Sequence, residues 1–373
     1  MIGHSEALPG IARVALIGGL LATLAACAGS GATPTTASVS TVTPAPTLAP
    51  ATPTAATSLA SATPTAATTL ASATPTAAVA TATAAATSPA GLPAGTVLAW
   101  GDDSKGQTKV PAGLSNVVAI SAGDEFAIAL KSDGTVVGWG ANDSGQATPP
   151  SGLSGVVAIS AGSSHAIALK SDGTVVGWGN NVDGEIAIPA GLSSVVAISA
   201  GGDHNFALKS DGTVVGWGVD FNGEIDIPAG LHDVTAISAG YLWGLALLKD
   251  GTVVGWGDKY PTDTSLSYAK VPSGLSDVTA ISAGYYHSLV RKSDGTVASW
   301  GEGGDGATRI PNGLSGVTAV AAGGNFSLAL KSGGSVVGWG SNADGCLTFP
   351  AALKNVLAID AGGAFALALV QNS

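Results

Sequence analysis

Short apolar runs alternate with polar, glycine-rich stretches along most of the chain. One copy of the pattern has apolar runs at 117–121, 126–130 and 136–139, separated by Gly, Asp and Ser. Runs of this length predict β-strands, in which successive side chains point to opposite faces. On this rule Val118 and Ile120 share one face of the first strand, and the second strand places its large side chains opposite alanines. We expect every strand to be buried on both faces, one bulky and one small.

The runs belong to a repeat that occurs seven times and contains the phrase Gly-Thr-Val-Val-Gly-Trp-Gly or a variant of it. Its tryptophans are 39 residues apart, with one gap of 44. They are Trp100, Trp139, Trp178, Trp217, Trp256, Trp300 and Trp339. A period in this range is typical of solenoids, propellers and other arrays. Each copy predicts three strong strands and a weaker fourth, and stacking bulky faces on small ones would bury both, as in radially arranged blades.

The two ends of the repeat region complement each other. The last copy ends after the strand predicted at 365–369, and the tryptophan strand it lacks is present at the other end, at 95–100. Pairing 96–100 with 365–370 would complete that copy and remove the free edges of an open array. We therefore predict an all-β, seven-bladed β-propeller over 95–373, closed by its N- and C-terminal strands. An open β-solenoid is the alternative.

Two kinds of loop define the two rims of such a propeller. The hairpin turn at 131–135 contains Asp-Gly, which favours the positive φ of tight hairpins, and it is nearly constant among the copies. The residues that follow Ser-Ala-Gly and Trp-Gly differ from copy to copy. Variation confined to one rim of a rigid scaffold is typical of binding loops.

Two motifs of the copies are Trp139-Gly140-x-Asn142-x-x-Gly145-Gln146 and Ser160-Ala161-Gly162-x-x-His165-x-Ile167-Ala168-Leu169. They resemble the regulator-of-chromosome-condensation repeat family, whose fold is a seven-bladed β-propeller, and the resemblance covers all of 95–373. The short copies and the Gly-Gln-x-x-x-Pro ending are most similar to an exported bacterial branch, whose known member is a propeller-type β-lactamase inhibitory protein that contacts its target with propeller loops. Nucleotide exchange, the activity of the eukaryotic founder, is not expected, because the chain is predicted to be exported and has no matched exchange residues.

The first 94 residues indicate where the protein is located in the cell rather than how it folds. Residues 1–26 contain an apolar run that is too short to span a bilayer and suits a signal peptide. It ends in Leu-Ala-Ala before Cys27, which resembles the lipobox of bacterial lipoproteins and makes Cys27 the predicted lipidation site; an ordinary signal peptide that contains a cysteine is the alternative. The rest of 27–94 is rich in Ala, Thr and Pro, so we expect a disordered stalk. The protein is thus predicted to be an exported, membrane-anchored lipoprotein on the extracytoplasmic or cell surface.

The net charge and the positions of the titratable residues disfavour two classes of function, nucleic-acid binding and catalysis. The net charge is −11, and acidic residues are predicted on the variable rim, so nucleic-acid binding is disfavoured. These residues are Asp102, Asp103, Asp143, Asp183, Glu185, Asp220, Glu224, Asp258 and Asp305. His165, His204 and His287 occupy equivalent positions of different copies, which favours packing over a shared catalytic centre. We predict no catalytic residues, no cofactor, no metal site and a monomer.

The variable rim is also predicted to carry a cluster of aromatic side chains. The candidate partner-binding residues are Phe221, Tyr241, Leu242, Tyr260, Tyr268, Tyr285 and Tyr286. Tyrosines surrounded by polar residues fit a protein–protein hot spot, so we predict non-catalytic protein recognition. A glycan- or wall-binding module that uses the same aromatics is the alternative, and an enzyme such as a hydrolase is a more distant one. The tyrosines could instead cover joints between blades.

Overall fold

The computed structural model describes residues 86–87, 95–258, 268–303 and 305–372, and within those ranges the chain is all-β. The strands are β1 Ala86–Thr87, β2 Gly95–Gly101, β3 Val117–Ala122, β4 Phe126–Lys131, β5 Val136–Gly140, β6 Val156–Ala161, β7 His165–Lys170, β8 Val175–Gly179, β9 Val195–Ala200, β10 His204–Lys209, β11 Val214–Gly218, β12 Val234–Ala239, β13 Trp243–Leu248, β14 Val253–Gly257, β15 Val278–Ala283, β16 His287–Lys292, β17 Val297–Gly301, β18 Val317–Ala322, β19 Phe326–Lys331, β20 Val336–Gly340, β21 Val356–Ala361 and β22 Phe365–Gln371. The same ranges contain no helix with the length and apolarity needed to cross a membrane.

Three antiparallel strands form each blade. Blades 1 to 6 are β3–β5, β6–β8, β9–β11, β12–β14, β15–β17 and β18–β20, and blade 7 consists of β21, β22 and β2. The prediction of a weaker fourth strand is wrong for the described residues, because those that follow Trp-Gly form turns and irregular segments rather than a strand. In blade 1, Gly140 and Gly145 have φ of 94° and 80°, a left-handed conformation that interrupts an extended backbone.

Strand β2, the first strand of the repeat region, pairs with β22, the last one. Seven antiparallel residue pairs join them, from Gly95 opposite Gln371 to Gly101 opposite Phe365. These are the two segments that the sequence predicts to pair. Blade 7 is therefore assembled from both ends of the repeat region, and Gly95 also pairs with Val117 at the start of β3.

Neighbouring blades pack a bulky face against a smaller one, as the repeat predicts. Phe126, Ile128 and Leu130 of blade 1 are buried against blade 2, which contributes Ala166 and Ala168 to the same cluster. The described residues form seven such clusters, including one between blade 7 and blade 1. Burial of large apolar side chains at each joint is the main force that holds the blades together.

A β-bulge changes the faces predicted for the first strand. The register of β3 against β4 shifts between Val117 and Ala119, which leaves Val118 as the extra residue. Val117 therefore packs at the same joint as Ile120, and Val118 packs at the opposite joint. The prediction that Val118 and Ile120 share a face is wrong, because strict alternation does not continue across a bulge.

Each repeat tryptophan adds a hydrogen bond to its joint. The indole N–H of Trp178 donates to the carbonyl of Gln146 at 2.9 Å, in the loop that precedes its blade. All seven repeat tryptophans donate in the same way. Trp100, in β2, donates to the carbonyl of Cys346 at 2.7 Å. The hydrogen bond that joins consecutive copies thus also joins β2, at the start of the repeat region, to the loop that follows β20.

The Lys-Ser-Asp-Gly-Thr turns form a constant rim and stabilise themselves. In the first turn, the Asp133 carboxylate accepts hydrogen bonds from the hydroxyl and the backbone N–H of Thr135 at 2.6 and 3.0 Å. Lys131 lies 2.9 Å from the same carboxylate. The Thr135 hydroxyl first, and then Lys131, hold the pKa of Asp133 below its usual range. The constant residues of this rim therefore serve turn formation.

The short strand β1 lies in the segment that the sequence assigns to the stalk. It pairs antiparallel with β6, with Ala86 opposite Ile159 and Thr87 opposite Ala158. Cys27, the predicted signal peptide and the rest of the predicted stalk lie outside the described residues.

Candidate functional site

The two variable loops of each blade lie side by side on one rim, which we call the variable rim. In each blade the residue after Trp-Gly donates its backbone N–H to a carbonyl in the loop between the first and second strands. Ala141 donates to Glu125 at 2.9 Å in blade 1, and Glu302 donates to Tyr286 at 2.7 Å in blade 5. Seven such bonds, one for each blade, fix the relative position of the loops.

Four of the predicted tyrosines meet on the variable rim, and we call them the tyrosine cluster. The ring centroids lie 5.0 Å apart for Tyr241 and Tyr285, and 6.1 Å apart for Tyr285 and Tyr286. Tyr268, in the loop between blades 4 and 5, lies 5.9 Å from Tyr286 and donates its hydroxyl to Glu302 at 3.3 Å. Rings at these separations stabilise one another. Tyr286 is exposed and the other three rings are half-buried, so the cluster is a packed aromatic group that presents mainly Tyr286 to solvent.

The tyrosine cluster reaches across the rim to blade 1. The Tyr285 hydroxyl donates to Asp124 Oδ1 at 2.6 Å, although blades 6 and 7 lie between them. The corresponding loops of those two blades carry Gly324 and Gly363, which leave room for the contact. A Cβ on Gly363 would clash with Asp124 Oδ1 and would lie 2.9 Å from the Tyr285 hydroxyl. Burial raises the pKa of both groups, and the neighbouring Asp124 charge further raises that of Tyr285.

Gly363→Ala is expected to break the hydrogen bond between Tyr285 and Asp124, because the added methyl group occupies the same space. The pKa of Tyr285, which burial and Asp124 hold well above 10, should then fall toward its ordinary value. An alkaline absorbance titration should show one more tyrosine ionising in the ordinary range. Gly333→Ala is the control, since no heavy atom lies within 4 Å of its added carbon. Identical titrations for Gly363→Ala and the unaltered protein would contradict the prediction.

The other predicted residues have different surroundings. Phe221 is 82% exposed in the loop after β11, and Leu242 is half-buried next to Tyr241. Tyr260 lies outside the described residues. Val182, which is 83% exposed, occupies the position in blade 2 that Phe221 occupies in blade 3, and it was not predicted. Aligning the fourth residue after each repeat tryptophan would have found it, because several other copies have Ser, Asp or Ala there.

Two of the acidic residues assigned to the variable rim are buried instead. Glu185 and Glu224 are fully buried. Glu224 accepts hydrogen bonds from the backbone and side-chain N–H groups of Asn222 at 2.7 and 2.8 Å. Glu185 accepts from the backbone N–H of Asp183 at 2.9 Å. Both carboxylates shape their own loops, so the rim presents less negative charge than its sequence indicates.

The buried histidines begin the second strands of three different blades. His165, His204 and His287 are buried at equivalent positions of three blades, which confirms their predicted packing role. Burial lowers the pKa of each of them. Cys346 is buried, and burial raises its pKa to about 12, which makes it a poor nucleophile. No group of three or more potential metal ligands occurs in the described part of the chain.

The first strands of all seven blades line one cavity, which we call the central cavity. It has a volume of about 120 Å³ and is lined mainly by small side chains. Tyr241, Tyr285 and Asp124, which belong to loops of the variable rim, also line it. The tyrosine cluster and the central cavity are therefore continuous.

A belt of hydrogen bonds joins the first strands around the central cavity. In five blades a serine hydroxyl accepts from the backbone N–H of an alanine in the next blade, at 2.9–3.1 Å. These serines are Ser121, Ser160, Ser199, Ser238 and Ser282. Blade 6 has Ala321 at this position and blade 7 has Asp360. Asp360 was not predicted as a site residue, although it is the one acidic residue at this position of the repeat.

Comparison with known proteins identifies the repeat. Five copies match the Regulator of chromosome condensation (RCC1) repeat. The matched residues are 117–146, 156–185, 195–224, 278–307 and 317–346. The chain thus contains RCC1 repeats, in agreement with the family resemblance of its motifs. No curated protein matches the sequence.

Several solved structures resemble the chain at low sequence identity. Prp20p from Saccharomyces cerevisiae is 19% identical, and the match covers 75% of this chain and 92% of Prp20p with a TM-score of 0.63. Human WBSCR16 is 18% identical over 74% of this chain and 98% of its own, with a TM-score of 0.59. The CRINKLY WD40 ectodomain of the Arabidopsis thaliana receptor kinase ACR4 is 22% identical over 68% of this chain and 91% of its own, with a TM-score of 0.54. These likenesses establish the propeller fold.

Proposed function

We propose that residues 95–373 form a closed seven-bladed propeller that recognises another protein through its variable rim, without catalysis. The pairing of β2 with β22 and the packing of blade 7 on blade 1 support closure. The tyrosine cluster is the observation that carries the function, because it is a packed aromatic group with Tyr286 exposed on the rim whose loops vary among the copies. Tyrosine is enriched among residues that dominate the energy of protein interfaces.

The fold and the surface both favour a protein partner. Prp20p, which has the same fold, is described with binding properties to Gsp1p and histones. On this chain, Phe221 and Val182 add two exposed apolar side chains to the same rim. Apolar tips surrounded by polar loops are typical of an interface that is buried on association.

A lipid anchor at Cys27 and the stalk that follows would display this rim at a membrane surface. The lipobox-like sequence before Cys27 supports this part of the proposal. In a bacterial host the unaltered chain is expected in the membrane fraction, and Cys27→Ser is expected in the soluble fraction. Membrane association that survives Cys27→Ser would argue against lipidation.

Exported β-lactamases are the first partners to test, because the motifs resemble those of a propeller-type inhibitor of these enzymes. Binding and inhibition should weaken at least tenfold in Tyr286→Ala, since truncating a hot-spot aromatic commonly costs about 2 kcal/mol. Lys209→Ala, on the constant rim, is the control and should leave binding unchanged. If β-lactamases do not bind, the same pair of variants should be compared on proteins captured from an exported fraction.

Two results would count against protein recognition through the variable rim. Loss of binding in Lys209→Ala but not in Tyr286→Ala would assign recognition to the constant rim. Binding to a glycan array that depends on Tyr286, without a captured protein, would favour the glycan-binding alternative.

A further inference from the structure

The central cavity contains a buried carboxyl group, that of Asp360, with one oxygen that lacks a hydrogen-bond partner among the described residues. Asp360 Oδ2 takes the place of the belt serines and accepts the backbone N–H of Ala122 at 2.8 Å. Asp360 Oδ1 is buried and has no hydrogen-bond partner among the described residues. A serine satisfies the same backbone group with its single oxygen, as Ser121 does for Ala161 at 3.1 Å. The aspartate therefore adds a buried acceptor whose desolvation is uncompensated.

The charged side chains that line the central cavity around Asp360 are all negative. Asp360 and Asp124 are the charged side chains among the described residues that line the central cavity, and both are acidic. The rest of the lining consists of Ala, Gly, Ser, Val and Ile together with Tyr241 and Tyr285. A carboxylate in such a low-dielectric setting attracts a cation strongly, and its free oxygen can accept a hydrogen bond from an ammonium N–H.

The size of the cavity limits the ligand to a few heavy atoms. Its volume is about 120 Å³, and an apolar cavity of about 150 Å³ is known to hold benzene. The alanine-rich walls suit a short alkyl chain. Tyr241 and Tyr285 line the variable-rim end, and aromatic rings can stabilise a passing cation.

We propose that the central cavity binds a small alkylammonium group, with the ammonium on Asp360 Oδ1 and the alkyl part against the alanine-rich walls. A free primary amine and the lysine side chain of a partner protein both supply this chemistry. The strand β1 pairs with β6, one of the first strands that line this cavity, whereas Asp360 lies on β21.

Titration of the full-length protein with ethylammonium chloride at pH 8.5, against sodium chloride at equal concentration, tests the proposal. We expect saturable binding by calorimetry and a rise in the unfolding temperature. Asp360→Ser should bind at least tenfold more weakly, and so should Asp360→Asn, which keeps the side-chain shape. Ala321→Ser changes the neighbouring belt position without removing the carboxylate and should bind as the unaltered protein does. Tetramethylammonium, which has no N–H group, should bind at least tenfold more weakly than ethylammonium.

A short peptide with one lysine, compared with the same peptide acetylated on that lysine, distinguishes the two sources of the ammonium group. Asp360-dependent binding of ethylammonium alone supports a free amine as the ligand, and Asp360-dependent binding of the unacetylated peptide supports an inserted side chain. The proposal is overturned if neither probe binds saturably, or if Asp360→Ser binds as tightly as the unaltered protein. Loss of rim binding in Tyr286→Ala bears on the proposed protein recognition and leaves this test unaffected.

Discussion

Leu367→Ala is expected to destabilise the protein by about 2–5 kcal/mol, as much as Leu328→Ala, its equivalent in blade 6. Both leucines are fully buried in the second strand of a blade. Residues near a chain terminus usually fray unless packing holds them, and Leu367 lies in the last strand. Leu367 is held because it pairs with Ala99 of β2 and packs in the joint between blades 7 and 1. Urea unfolding followed by circular dichroism measures both losses.

The losses of stability in Leu367→Ala and Leu328→Ala distinguish a closed ring of blades from an open array. In a closed ring, both substitutions remove equivalent contacts and shift the urea midpoint equally. In an open array, β22 would be an unsupported end strand, so Leu367→Ala would cost a few tenths of a kcal/mol while Leu328→Ala kept its full effect. Val182→Ala is the surface control, because Val182 is 83% exposed and its loss should change stability by less than about 0.5 kcal/mol.

The strands and their joints follow from the sequence because each copy repeats the same alternation of large and small side chains. Phe126, Ile128 and Leu130 illustrate this, since all three pack against the next blade as the alternation predicts. The bulge at Val118 could not be predicted in the same way. Two adjacent valines look alike in the sequence, and only the hydrogen-bond register of the folded strand decides which of them is the extra residue.

The tyrosine cluster is predictable because equivalent positions of consecutive copies become neighbours on one rim. The contact between Tyr285 and Asp124 is not predictable, because the two residues are 161 positions apart in the sequence. The contact also requires the loop of blade 7 that lies between them to have glycine at position 363. Asp360 is visible in the sequence as a departure from a serine position. The role of Asp360 cannot be predicted from the sequence, because it depends on the direction of the side chains at this position. The structure shows that they reach the backbone of the next blade around the cavity.

Asp360→Ser is expected to stabilise the protein at alkaline pH by about 2–4 kcal/mol and to have little effect near pH 4. Burial raises the pKa of Asp360 from 3.8 to about 7, so the folded state retains a proton that the unfolded chain has released. Because the folded state binds more protons between these values, the free energy of unfolding falls as the pH rises from about 4 to 7. Serine keeps the acceptor for the Ala122 N–H and removes this loss of stability.

The difference between the two proteins isolates the effect of Asp360 from the other titrating groups. Asp124, whose pKa burial also raises, is present in both proteins, as are the turn aspartates whose pKa values are lowered. Urea midpoints measured from pH 4 to 8.5 without added amines should therefore diverge only as Asp360 ionises in the folded state and leaves a buried charge without a positively charged partner in the cavity lining. Ala321→Ser should shift the midpoint by the same amount at every pH, because it adds no titrating group. A gain from Asp360→Ser that is constant over this range would mean that the carboxyl ionises as easily in the cavity as in water, and neither the uncompensated burial of Oδ1 nor its affinity for a cation would remain tenable.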